Sequence, residues 1–273
     1  MTTPRVVIVG HVEWVTHALG EVPARGHIAD LHDAFTEPAG GGGVAAVAAA
    51  RLGAQVCLLT AFGDDPAAER SSSLLRGAGV DLAAVRRPTA QTPVLTITDV
   101  AGERTIMVVG DRLQARAADG IHEAALAGAA AAYYTGEDPA LLAEVRARVP
   151  ILVVSARRRA DLVAVGVTPD VLVGSLNDPD EDPRDLPHDL RPPWLVHTDG
   201  RNGGVIIAAD GTRSRYLPAS PPGDVIDTYG CGDTFAAALT VGLGRGLSVA
   251  DAAAIGARAG AACTTWRGGI GPT

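Results

Sequence analysis

The sequence predicts an α/β fold: a mostly parallel sheet with helices on both faces, and a small separate β-sheet. From about residue 120 onward, short apolar segments alternate with helical segments, as in parallel strands joined by crossover helices. Near the start, the run Val-Val-Ile-Val-Gly at 6–10 is typical of a strand buried on both faces. Two pairs of segments with alternating polar and apolar residues do not follow this alternation of strands and helices, and they predict the separate sheet.

The first of these pairs, 12–19 and 27–36, is separated by the turn residues 23–26 and predicts an antiparallel hairpin. The second pair, 93–99 and 104–109, is joined by residues 100–103. Together they predict a small β appendage of about 12–36 and 93–110, on a core of 1–11, 37–92 and 111–273.

The core elements follow in chain order. An Ala-rich helix is expected over 44–52, after the glycine run 40–43, and Gly53 ends it. The acidic, Pro-rich segment 178–193 predicts a surface loop. The other expected elements are strands at 55–60, 151–155, 171–173, 195–197 and 205–208, and helices at 67–77, 141–148, 160–165, 234–243 and 249–265.

Composition excludes several classes of function. The 273 residues are 47% apolar, enough for a substantial core and against wholesale disorder. The net charge of −8 argues against a nucleic-acid partner or an anionic membrane surface. All 23 basic residues are arginine, so mechanisms that need a lysine, such as Schiff-base chemistry, are excluded.

The cysteines and the apolar segments indicate the compartment. Cys57, Cys231 and Cys263 form neither a Cys-x-x-Cys pair nor a zinc spacing, and an odd number cannot complete a disulfide framework. The apolar run at 6–10 is too short for a signal peptide or a membrane span. We therefore expect a cytoplasmic protein.

The segment 227–235, Asp-Thr-Tyr-Gly-Cys-Gly-Asp-Thr-Phe, is the strongest candidate for chemistry and leads into an Ala-rich helix. Its glycines allow backbone N–H groups to converge at a helix N-terminus, where a phosphoryl group is stabilised. Asp233 is placed to accept a proton from a hydroxyl group. Alternatively, Asp233 only caps the helix, which is the more frequent role of an isolated Gly-x-Gly-Asp.

Other segments accompany this motif in a fixed order. They are the glycines 40–43 with Arg-Leu-Gly at 51–53, Gly-Asp-Asp at 63–65, Thr198 with Gly200 and Gly203, and Gly268 with Gly269. With these motifs the chain resembles the ribokinase-like (PfkB) family of sugar and nucleoside kinases over nearly its full length. The resemblance implies a three-layer α/β/α sandwich with a mostly parallel central sheet, in which the β appendage is a lid.

The resemblance also implies roles for individual residues. ATP would lie along the loop 198–204, its phosphates on an anion hole of Gly230, Cys231 and Gly232, and Asp233 would be the general base. Mg²⁺ would accompany ATP, and a monovalent cation such as K⁺ is allowed beside Asp227. The residues implied in nucleotide binding are Thr198, Gly200, Gly203, Ser175, Asp178, Thr228 and Gly268; those implied in substrate binding are Glu13, Gly40, Gly41, Gly42 and Arg104.

Some positions depart from the family pattern. Val15 and Val44 stand where sugar kinases have an Asp and an Asn that hold sugar hydroxyls, which leaves the acceptor unidentified. Glu13 is the nearest acidic substitute; it either points into the substrate cleft or is a solvated charge on the lid. Arg104 either binds a substrate phosphate or is solvated.

The Asn-x-x-Glu motif that helps place Mg²⁺ is also altered. Ser175 and Asp178 align with it, and Asn177 and Glu181 are neighbours able to compensate. Alternatively, Asp178 simply begins the acidic loop.

Three functions compete. The first is an ATP-dependent kinase acting on a hydroxyl of a sugar, nucleoside or related polyol, and the second is a catalytically silent, metabolite-binding relative. The third, a nicotinamide-dependent oxidoreductase, is disfavoured because Gly-His-Val-Glu at 10–13 lacks the glycines that a dinucleotide requires. The expected partners are a small-molecule substrate and a second copy of the chain, bound through the lid.

Overall fold

The computed structural model describes residues 3–100 and 104–272. The strands are β1 (Arg5–Val9), β2 (Glu13–Leu19), β3 (His32–Ala39), β4 (Gln55–Phe62), β5 (Val80–Arg86), β6 (Pro93–Thr98), β7 (Arg104–Val108), β8 (Ala131–Tyr134), β9 (Leu152–Ser155), β10 (Val171–Ser175), β11 (Trp194–Thr198), β12 (Gly204–Ala208) and β13 (Arg213–Tyr216). The helices are α1 (Gly40–Arg51), α2 (Pro66–Gly77), α3 (His122–Leu126), α4 (Pro139–Arg148), α5 (Arg159–Val165), α6 (Cys231–Gly244) and α7 (Val249–Cys263).

The large sheet has nine strands in the order β13-β12-β11-β10-β9-β8-β1-β4-β5. All pairs from β5 to β11 are parallel, and β12 and β13 add an antiparallel edge. β1 is central, and its side chains divide between two cores: Val6 and Ile8 pack on one face, and Val7 and Val9 on the other. The predicted mostly parallel sheet is confirmed.

Helices cover both faces of this sheet, which confirms the three layers. The first core takes side chains from α1, α2, α6 and α7, for example Val47, Leu75 and Phe235. The second core takes them from α3, α4 and α5, for example Leu126 and Leu142. Within the described residues, no helix combines the length and the hydropathy that crossing a membrane requires.

The two predicted hairpins form a second sheet in the order β3-β2-β6-β7. Within each hairpin the strands are antiparallel, and β2 and β6 join the hairpins in parallel. The confirmed part of the prediction is this smaller sheet; its role as a lid and the domain boundaries stay predictions. We refer to it as the lid sheet.

Some element boundaries differ from expectation. α1 begins at Gly40 rather than at residue 44, because the glycines allow the helix start to pack directly on the backbone after β1. A Cβ on Gly42 would lie 2.6 Å from the carbonyl carbon of Gly10. β3 begins at His32 rather than at 27, since the preceding residues form an exposed loop. The predicted turn at 100–103 lies mostly outside the described residues.

Strands β5, β8 and β13 and helix α3 were not predicted. β5 and β13 lie at edges of the large sheet, where most side chains are exposed or half-buried and the apolar pattern is weak, and β8 and α3 are only four and five residues long. The connection from β10 to β11 is a loop, as predicted, and contains three short 3₁₀ turns at Pro179–Glu181, Pro183–Asp185 and His188–Leu190.

Candidate active site

Two helix N-termini meet beyond the carboxyl ends of the central strands. α1 begins at Gly40 and α6 begins at Cys231. A Cβ on Gly41 would lie 3.3 Å from Oδ1 of Asp233, so the first turns of the two helices are in direct proximity. Because both helix dipoles have their positive ends here, the region favours a bound anion.

Gly230 makes the bend from which α6 starts. Its φ of +74° lies in the left-handed region, and a Cβ would lie 2.9 Å from Cγ1 of Val44, so a side chain is excluded on both grounds. Gly232 is exposed, and a Cβ added to it would meet nothing within 4 Å. The predicted anion hole therefore has an open approach at the start of α6.

Asp233 is partly buried and accepts a hydrogen bond from the hydroxyl of Tyr133, with an O–O distance of 3.2 Å. Burial raises the pKa of Asp233 to about 7; the hydrogen bond from Tyr133 and the charge of Arg157 lower it, and the charges of Glu181 and Glu13 raise it. The carboxyl group thus titrates near neutrality, as a general base requires. Tyr133, at the end of β8, was not predicted.

The residues aligned with Asn-x-x-Glu lie together after β10. The N–H of Ser175 donates to Oε2 of Glu181 at 2.6 Å, and Arg157 donates to Oε1 of Glu181 at 2.9 Å and also to Asp178. Burial raises the pKa of Glu181. Since the charge of Glu181 acts on Asp233, Glu181 is the carboxylate of this group that is coupled to the predicted base.

The predicted nucleotide loop follows β11. Thr198 pairs with Ser175 across the two strand ends, and its hydroxyl donates to the carbonyl of Gly174 at 3.4 Å. A 3₁₀ turn spans Gly200–Asn202. Gly203 has a φ of +82°, and a side chain there would collide with the carbonyl oxygen of Tyr216. The structure therefore places Thr198 and Ser175 side by side.

The loop 227–230 before α6, which we call the signature loop, is joined by Asp227 to the segment after α7. Its Oδ1 accepts the N–H of Tyr229 at 2.9 Å, and its Oδ2 accepts the N–H of Gly268 at 3.0 Å. Gly268 has a φ of +78°. The predicted contribution of Gly268 to the nucleotide pocket and of Asp227 to a cation site both stay predictions, but the two residues are directly bonded.

The lid sheet contacts the loop before α6 and the segment after α7. Oε1 of Glu37, in β3, accepts the N–H of Gly269 at 2.6 Å and lies 3.1 Å from Nε2 of His17, in β2. Arg104, in β7, donates to the hydroxyl of Thr228. These contacts show that Arg104 is bonded to the signature loop. Glu37 and His17 were not predicted, because Gly269, the partner of Glu37, is remote in the sequence.

Glu13, the first residue of β2, lies against the start of α1, beside the predicted substrate glycines. It is only 4% exposed, and the Nε of Arg112 donates to its Oε1 at 2.9 Å. The alternative that Glu13 is a solvated charge is therefore wrong. Burial raises the pKa of Glu13, against the lowering effect of Arg112.

His11 lies beside Glu13 and the start of α1. Its Nε2 accepts the N–H of Gly41 at 3.4 Å and lies 3.5 Å from Oε1 of Glu13. Burial, together with the charges of Arg112 and Arg158, lowers the pKa of His11 to about 3, so the imidazole is neutral. Nothing in the sequence pattern distinguished His11 from an ordinary residue after a strand.

Val15, in β2 of the lid sheet, and Val44, in α1, are both fully buried. They pack in one apolar cluster with Ala39, Val94 and Tyr229. The two positions that depart from the family pattern thus belong to one continuous apolar surface between the lid sheet and α1.

Comparison with known proteins identifies the family. The model of the pfkB family carbohydrate kinases matches residues 3–172 and 170–273. The bifunctional protein HldE of Azorhizobium caulinodans is 34% identical over an alignment 241 residues long, which covers 78% of this chain and 50% of that protein. The chain therefore spans about half the length of this curated relative.

Solved structures share the fold. Ribokinase of Arabidopsis thaliana, complexed with ribose and ATP, has a TM-score of 0.77 at 18% identity, covering 98% of this chain and 95% of that one. Phosphofructokinase-2 of Escherichia coli, in complex with fructose-6-phosphate, has a TM-score of 0.74 at 18% identity, covering 96% and 94%. The ribokinase-like fold is thus confirmed, and the family match over nearly the whole chain shows that this protein belongs to the pfkB family of carbohydrate kinases.

Proposed function

We propose that the protein transfers the γ-phosphate of ATP to a hydroxyl group of a sugar, nucleoside or related small polyol. The observation that carries this proposal is Asp233, a carboxyl group with a pKa of about 7 placed where α1 and α6 begin. The ribokinase complexed with ribose and ATP and the phosphofructokinase-2 bound to fructose-6-phosphate support the same class of reaction.

In the proposed reaction Asp233 takes the proton from the acceptor hydroxyl as its oxygen attacks the γ-phosphorus. The bond between that phosphorus and the bridging oxygen breaks, and ADP leaves with the electron pair. Backbone N–H groups of Cys231 and Gly232 stabilise the charge on the transferred group, at the positive end of α6. Tyr133 orients the carboxylate through its hydrogen bond.

The side chains near β10 fit a magnesium ion that is held mostly by phosphates. Among the described residues, no group of three or more His, Cys, Asp or Glu side chains is arranged to hold a metal. Mg²⁺ in kinases needs only one or two carboxylates besides phosphates and waters; Glu181 and Asp178, which accept hydrogen bonds from Arg157, would provide them. When bound, Mg²⁺ neutralises charge on the phosphates.

Three further features remain proposals. K⁺ beside Asp227 is supported only by the family pattern, since both oxygens of this carboxylate already accept backbone N–H groups. A homodimer through the lid sheet is favoured by the half-exposed Ile106 and Met107 of its edge strand β7. A cytoplasmic location is likewise a proposal.

The turnover number is expected to rise with pH up to about 7. Below this value the fraction of ionised Asp233 falls about tenfold per pH unit, and kcat should fall with it. Arg157→Gln removes a positive charge that lowers the pKa of Asp233, so the acidic limb should move to higher pH. The measurement is kcat as a function of pH for the wild type and for Arg157→Gln. Arg76→Gln, at an exposed position of α2, is the charge-matched control. If the acidic side of the pH profile of Arg157→Gln matched that of the wild type, the charge of Arg157 would not act on Asp233.

A catalytically silent, metabolite-binding relative is the second candidate. It is favoured by Val15 and Val44, which put an apolar surface where sugar kinases have polar groups. Phosphate transfer from ATP and Mg²⁺ to a panel of sugars, sugar phosphates, nucleosides and polyols separates the two candidates. We expect one acceptor class to be phosphorylated; nucleotide binding with no transfer to any member would favour the silent relative.

A further inference from the structure

A cavity of about 610 Å³ lies at the outer end of the large sheet, away from α6 and α7. Its wall is formed by Leu195 and His197 of β11 and by Val205 and Ile207 of β12. The alternate residues of the same strands, Val196 and Ile206, face the core that contains α6. The cavity is therefore on the opposite face of the sheet from the helix that carries Asp233.

The cavity is present because no helix of the connection between β10 and β11 packs on this face of the sheet in the described residues. A connection between parallel strands usually contains a helix that packs on the sheet. Between β10 and β11 the chain instead makes three short 3₁₀ turns, and among the described side chains of this segment Leu186 alone joins the core cluster. The apolar side chains of β11 and β12 consequently remain accessible from the cavity.

The rim of the cavity is basic. Arg191 and Arg213 line it, and neither guanidinium group makes a hydrogen bond or an ion pair with the part of the chain that the structure describes. The acidic side chains at the rim are already engaged: Asp182 is bonded to Arg184, and Asp178 to Arg157. The two uncompensated guanidinium groups therefore leave the cavity positively charged.

The ring of His197 belongs to the wall of the cavity. His197 is 5% exposed, and among the described residues its Nδ1 has no hydrogen-bond partner. Burial lowers the pKa of His197, so the ring is neutral and offers one donor and one acceptor.

We propose that this cavity is a second ligand site that binds an organic phosphate of mononucleotide size. The apolar wall, with the neutral ring of His197 in it, takes the planar ring system, and Arg191 and Arg213 hold the phosphate. The volume falls within the range of small-molecule pockets, about 300–1,000 Å³. Ser175 and Asp178 also line the cavity, so the site adjoins the loop that is proposed to place Mg²⁺.

Titration calorimetry with AMP tests the proposal on the full chain. The candidate active site is first saturated with Mg²⁺ and a non-hydrolysable ATP analogue, so that only additional binding is measured. We expect one AMP per chain, and at least tenfold weaker binding to the double variant Arg191→Ala/Arg213→Ala. The control Arg70→Ala/Arg76→Ala removes the same charge from exposed positions of α2 and should bind AMP within twofold of the wild type.

Three results would overturn this site: no binding of AMP beyond the saturated active site, equal binding by the double variant, or binding of inorganic phosphate as tight as that of AMP. Because Arg191 and Arg213 are exposed, both double variants should keep the wild-type melting temperature. Kinase activity without AMP should also persist in them, which separates this test from that of the proposed reaction.

Discussion

Asp233→Asn is expected to lower kcat about 100- to 10,000-fold, the range that a general base contributes. The amide keeps the size of the carboxyl group and can still accept the hydrogen bond from Tyr133, but it cannot take a proton from the acceptor. The Kd for ATP should change little, because the proposed phosphate contacts are backbone N–H groups of α6. Steady-state kinetics and calorimetry with the same preparation measure the two quantities.

The matched control is Asp81→Asn, which makes the same chemical change at an exposed position of β5. It should leave both kcat and the Kd for ATP at wild-type values. If Asp233→Asn retained a tenth or more of the wild-type kcat, Asp233 could not be the base. The pH dependence gives a second readout, since the residual activity of the variant should no longer follow a group with a pKa of about 7.

The elements that could be predicted are those that a local pattern determines. β1 is a run of β-branched residues buried on both faces, and the lid hairpins alternate polar and apolar residues. The bend before α6 was predictable because a glycine followed by an Ala-rich helix is a local signal, and Gly230 indeed has a positive φ. The edge strands β5 and β13 escaped prediction because most of their side chains are exposed or only half-buried.

The residues that could not be predicted depend on contacts between remote segments. Tyr133 reaches Asp233 across 100 residues of sequence, and Glu37 reaches Gly269 across 232. The burial of Glu13 has the same origin, since Arg112 covers it from a loop 99 residues away. No periodicity or spacing within one segment encodes such a pair, so the sequence pattern left the role of Glu13 open and overlooked Glu37.

Glu37→Ala is expected to weaken ATP binding even though Glu37 belongs to the lid sheet. Its carboxylate holds the N–H of Gly269 and lies beside His17, and both partners would be left buried without it. An unsatisfied buried group costs about 1–3 kcal/mol, so the melting temperature should fall by about 2–12 °C. Gly269 adjoins Gly268, which is bonded to the signature loop, so the KM for ATP should rise severalfold.

Glu37→Gln separates positioning from simple loss of stability. Its amide oxygen can still accept the N–H of Gly269, so the KM for ATP should return close to the wild-type value. Glu21→Ala, at an exposed position of the loop between β2 and β3, is the matched control and should change neither quantity. If Glu37→Ala lowered the melting temperature but left the KM for ATP unchanged, Glu37 would only stabilise the fold. A raised KM that Glu37→Gln restores would instead mean that the lid sheet shapes the nucleotide pocket through this one carboxylate.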